Sequence, residues 1–137
     1  MGPQKKSDKL KRLVAVQRHM ERMAESDVRL TRSRIEENAA SMDTVMNAIG
    51  SLDPLHRMFA QNYADRFDRL AATDKQLHSL QHVQEMKVMR ERAKGDRLEE
   101  NMKEARAQED RKGEDDAIYD LLDIRYATPA SSKVEER

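Results

Sequence analysis

Met46-Asn47-Ala48-Ile49-Gly50-Ser51-Leu52-Asp53-Pro54-Leu55 is the one place in the central chain where helix-ending and helix-starting residues meet. Gly50 is suited to the left-handed conformation that closes a helix. Asp53 is suited to capping the next one, and Pro54 fits a first turn because that position needs no backbone donor. The space between allows only a tight connection. Two helices folded back antiparallel are therefore expected.

Outward from this turn the chain is helical in pattern. Residues 8–49 contain neither Pro nor Gly. Val14, Glu21, Val28, Ile35, Met42 and Ile49 recur every seven residues. Leu10, Gln17, Ala24, Thr31, Asn38 and Val45 form a companion series. This is the a/d spacing of a coiled coil, and the first series is the more apolar. Gln17, Thr31 and Asn38 weaken the seam but are the kind of residue that sets register.

After the turn, Leu55, Met58, Phe59, Tyr63, Phe67, Leu70, Leu77, Leu80 and Val88 continue an apolar stripe. Folding about Ser51 and Leu52 pairs Ile49 with Leu55, Met42 with Tyr63, Ile35 with Leu70 and Val28 with Leu77. Met42, Met46, Ile49, Leu55, Phe59 and Tyr63 would then make the turn the best-packed part of the hairpin. In that register the first helix ends opposite about residue 95, giving a hairpin of roughly 60 Å at ~1.5 Å per residue. Gly95 is a candidate hinge. The segment from Asp96 to Lys112 would lack a partner within the molecule.

The expected fold is all-α: a long antiparallel two-helix coiled-coil hairpin with an extended second helix. Residues 1–7 read as a flexible basic arm and residues 8–112 as the hairpin. Residues 113–137 read as an acidic linker broken at Gly113, a short amphipathic segment and a disordered tail. In the amphipathic segment, Ile118, Tyr119, Leu121, Leu122 and Tyr126 are candidate partner-binding residues, suited to a helix that docks on another protein.

Composition narrows the function. Charged residues make up 38% of the chain, aromatic residues 4%, and the net charge is zero. That balance speaks against nucleic-acid binding by bulk charge. The absence of Cys excludes disulfides and thiolate metal sites. No apolar run is long enough for membrane insertion, so a cytoplasmic protein is expected. Asp74, His78, His82 and Glu85 share one helix face, the two His four apart as zinc ligands can be, with His19 placed near by the hairpin register; exposed histidines on a solvated helix are the simpler explanation, and no metal site is expected. Lys87, Arg90, Arg92, Lys94 and Arg97 form a basic cluster suited to phosphate or an acidic protein surface. Glu85, Glu91 and Asp96 interleave with it, as on a salt-bridged solvated face. There is no phosphate loop, nucleophile elbow or convergent carboxylate set. No enzyme activity and no cofactor are expected.

The opening Ser7-Asp8-Lys9-Leu10-Lys11-Arg12-Leu13, the single interruption Gly50-Ser51-Leu52-Asp53-Pro54 and a second helix that outruns the first resemble the flagellar export protein FliJ and its type III secretion relatives of the YscO kind. The resemblance covers roughly residues 9–112; the tail from Glu114 departs from it. It implies a stalk-like protein associated with a secretion ATPase hexamer, touching an export gate and escorting export chaperones at the membrane periphery. The alternatives are a stand-alone helical export chaperone or a coiled-coil adaptor that forms a homodimer.

Overall fold

The computed structural model describes residues 4–127. The first three residues of the basic arm and residues 128–137 of the tail lie outside that range. All described secondary structure is helical: α1 spans Lys6–Ile49, α2 Pro54–Met58 and α3 Ala60–Ala127. The chain divides into two compact units, one of residues 16–95 and one that joins residues before Val16 to those after Gly95.

In the unit Val16–Gly95, α1 and α3 pack side by side and antiparallel. Asn38 Nδ2 donates to the Leu70 carbonyl at 2.9 Å. Thr31 Oγ1 donates to Gln84 Oε1 at 2.6 Å. Gln17 Nε2 donates to the Glu91 carbonyl at 3.1 Å and also bonds the Glu91 carboxylate. All three polar positions of the companion series thus bond across to the other helix. Ala24, Thr31, Asn38 and Val45 of that series are all buried, whereas Val28 alone is buried from Val28, Ile35, Met42 and Ile49. Small and polar side chains can be covered completely between two helices. Longer Ile and Met side chains protrude past the partner.

This register differs from the expected one. Leu70 meets Asn38 rather than Ile35, and Thr31 meets Gln84. The connection is the cause. Pro54–Met58 is a separate short helix, closed at Phe59 with φ −103° and ψ 13°, so α3 starts only at Ala60. The longer connector shifts α3 along α1. Asp53 does cap α2, accepting from the Leu55 amide at 3.0 Å, with Pro54 in the first turn. Gly50 is not left-handed: no described residue has positive φ. The end of α1 closes instead through Gly50 N–H to Met46 O at 3.0 Å and Ser51 N–H to Ala48 O at 3.3 Å.

In the other unit, the start of α1 packs on the later part of α3. Ser7, 3% exposed, and Ala105, 5% exposed, are its buried residues. Ser7 N–H and Oγ donate to the Glu109 carboxylate at 3.0 and 2.5 Å. The start of α1 therefore lies opposite residue 109, and the segment after Gly95 has a partner. Lys6 and Ser7 belong to α1 and not to a free arm. α3 is continuous through Gly95 and Gly113, so neither glycine ends the helix. One glycine costs on the order of 1 kcal/mol, which the Glu-, Lys-, Arg- and Ala-rich flanks can offset.

Candidate protein interface

The turn of the hairpin is not its best-packed part. Met46, Ile49, Leu52, Leu55, Met58 and Phe59 are all exposed, Leu52 at 81% and Met58 at 78%. Of the residues expected to pack there, Met42 and Tyr63 alone are partly covered. The reason is local. The α2 turn lifts Leu55 and Met58 away from the α1–α3 seam, and two helices offer no third layer to cover them. The bend is held by polar and aromatic contacts. Tyr63 Oη lies 2.9 Å from His56 Nδ1, and the Phe59 and Tyr63 ring centroids are 6.5 Å apart. Asp53 N–H donates to Ser51 Oγ at 3.2 Å. Six large apolar side chains are therefore exposed around the turn, Met46 and Ile49 at the end of α1 and the other four from Leu52 to Phe59. Exposed apolar side chains grouped in this way make the turn a candidate interaction surface. Leu52 and Met58 are the most exposed of the six; the sequence places Met58 in the apolar stripe after the turn and Leu52 at the fold point, but neither in the set expected to pack there. The signal was there: apolar residues stand on both sides of Asp53-Pro54 in a stretch too short to bury them.

The second apolar surface is at the end of α3. Every described residue from Asp110 onward is exposed. Ile118, Tyr119, Leu121, Leu122 and Tyr126, the candidate docking residues, stand between 41% and 82% exposed. They are helical, as expected, but in a continuation of α3 rather than a separate segment.

The flank of the seam in the unit Val16–Gly95 is electrostatically ordered. Arg92 bonds Glu21 at 3.1 Å and Glu25 at 3.2 Å, and Arg32 approaches Glu85 at 3.6 Å. Arg18 bonds Glu21 at 2.8 Å, and these two guanidinium groups hold the Glu21 carboxyl below its ordinary range, Arg18 contributing most. Glu91 is buried yet held below its usual value by the Gln17 amide and then by Lys94 at 3.4 Å. An open groove of about 390 Å³ lies along this flank, floored by Val28, Val88 and Met89 between Arg29, Arg32 and Arg92. Part of the basic cluster is thus used in structural pairs. No buried side-chain polar atom among the described residues lacks a partner.

His78 does not assemble with other ligands. Its Nδ1 lies 2.9 Å from the Asp74 carbonyl and 3.3 Å from the Asp74 carboxylate. His82 is exposed, and among the described residues no three His, Cys, Asp or Glu side chains gather in a metal-holding arrangement. No described helix is long and apolar enough to cross a membrane. The chain matches no protein-family model, and no curated protein or solved structure is significantly similar to it.

Proposed function

We propose that the protein is a non-enzymatic coiled-coil component of a bacterial flagellar or type III export apparatus, acting as a stalk-like, ATPase-associated escort for export chaperones in the cytoplasm at the membrane periphery. The observation that carries this reading is the exposed apolar cluster Met46, Ile49, Leu52, Leu55, Met58 and Phe59 on the hairpin turn. A seam with alternating three- and four-residue spacing supports the coiled-coil part of the reading. An apolar turn on a polar helical pair is suited to entering a ring of subunits, while its charged flanks stay hydrated. The resemblance of the chain layout to the FliJ and YscO proteins supplies the choice of partner.

The test is capture of a purified secretion ATPase hexamer by the tagged protein. Wild type retains the hexamer, and Leu52→Asp with Met58→Asp loses it more than tenfold while helicity is unchanged. No capture by wild type would overturn the export reading. Equal capture by the variant would overturn the role of the turn.

A further inference from the structure

The same chain carries two exposed surfaces of opposite chemistry that the export reading leaves unused. The first lies in the unit Val16–Gly95. Val16, Met20, Met23 and Leu30 of α1 are each at least 45% exposed and are spaced four, three and seven apart, so they share one helix face. That face is out of phase with the seam and opposite to the side on which Glu25 and Arg32 meet Arg92 and Glu85. On α3, Lys87 and Arg90 occupy the corresponding side, and both are exposed. Asp27 stands on the same face between Met23 and Leu30, so the result is an apolar stripe interrupted by one carboxylate and bordered by cations on the other helix. At ~1.5 Å per residue the stripe from Val16 to Leu30 is roughly 21 Å long.

The second surface is the last part of α3. Between Glu114 and Tyr126 there are five carboxylates and one cation, Arg125. Ile118, Leu121 and Leu122 share a face, and Asp115 and Asp123 line its edge beside Tyr119. This segment is roughly 18 Å long by the same rise, close to the length of the stripe.

We infer that a second copy of this chain covers the stripe: residues 114–126 of one molecule lie on the Val16–Leu30 face of another, with Asp115 and Asp123 against Lys87 and Arg90. Apolar side meets apolar side and the acidic edge meets the basic one. The match in length and the reversal of charge select this occupant over an unrelated helix. The segment belongs to an unbroken α3, so no link lets it turn back onto its own helix. A reciprocal exchange makes both contacts twice, as a two-fold dimer requires. This association stands whether or not the chain serves an export apparatus.

Sedimentation of the full chain from micromolar to millimolar concentration tests it. Wild type shifts from monomer to dimer. Asp115→Lys with Asp123→Lys weakens the dimer more than tenfold, and so does Lys87→Glu with Arg90→Glu, with circular dichroism and melting temperature of each variant maintained. Mixed together, the two variants form a heterodimer, because each basic edge then meets an acidic one. A monomer at millimolar concentration overturns the inference. A dimer indifferent to both reversals, or variants that fail to pair on mixing, overturns it as well.

Discussion

The Ser7 hydroxyl and the Ser7 backbone amide both donate to the carboxylate of Glu109, 102 residues away. Ser7 lies in the first turn of α1, where amide donors have no partner within the helix. Glu109 thus caps one helix from the side of another. These two bonds, with the side-chain one dominant, hold the Glu109 carboxyl below its ordinary range. Removing the carboxylate with Glu109→Ala releases the donors. Amide exchange at residues 7–10 is expected to accelerate while exchange in the unit Val16–Gly95 is unchanged. Uniform protection in the variant would show that the cap contributes nothing.

A second prediction concerns Thr31, 2% exposed, and Gln84. Thr31→Val keeps the shape of the side chain but strands the Gln84 amide oxygen. A loss of about 1 kcal/mol is expected. Adding Gln84→Leu removes the stranded acceptor, and most of the loss should return. Urea unfolding of the two single variants and the double variant gives the coupling directly. Additive losses would rule out the hydrogen bond as the source.

Acid should loosen the protein through three carboxylates. Glu21, Glu91 and Glu109 all have lowered values in the fold. Each contributes stability that is fully present above the ordinary glutamate range and is lost as pH falls through the lowered folded value. Melting temperature should therefore be flat near neutrality and fall below about pH 4. Glu91→Gln should flatten that fall. An unchanged acid limb in the variant would remove Glu91 from the account.

Gly95 and Gly113 should respond differently to alanine. A Cβ on Gly113 meets nothing within 4 Å. Gly113→Ala is expected to strengthen the surrounding helix by about 1 kcal/mol, read as slower amide exchange over residues 110–120. A Cβ on Gly95 would stand 2.7 Å from Arg18 Nη1. There the same propensity gain is offset by moving the guanidinium off the helix and away from Glu21. Gly95→Ala should yield less than half the gain of Gly113→Ala, and an equal gain would mean that Arg18 moves aside at no cost.

The sequence by itself determined that the chain is helical, that α1 and α3 run antiparallel, and which face of α1 turns inward. Those features follow from local quantities: the three- and four-residue spacing of Ala24, Val28, Thr31, Ile35 and Asn38, and the Asp53-Pro54 start signal, each readable within a few residues. It also marked Ile118–Tyr126 as an apolar helical segment. Only the tertiary structure decided the register, and with it everything that depends on register. The α2 turn and the bend at Phe59 lengthen the connector, so Asn38 meets Leu70, Ser7 meets Glu109, and the segment after Gly95 gains a partner. A heptad seam accepts a shift of one repeat with little change in apolar matching. The choice therefore falls to a few cross-helix hydrogen bonds whose partners lie 32 to 102 residues apart, a separation at which local pattern carries no information. Exposure of Leu52, Met58 and the Val16–Leu30 stripe was decided at the same level, because whether an apolar side chain is covered depends on how many layers the fold supplies, and two helices supply no third.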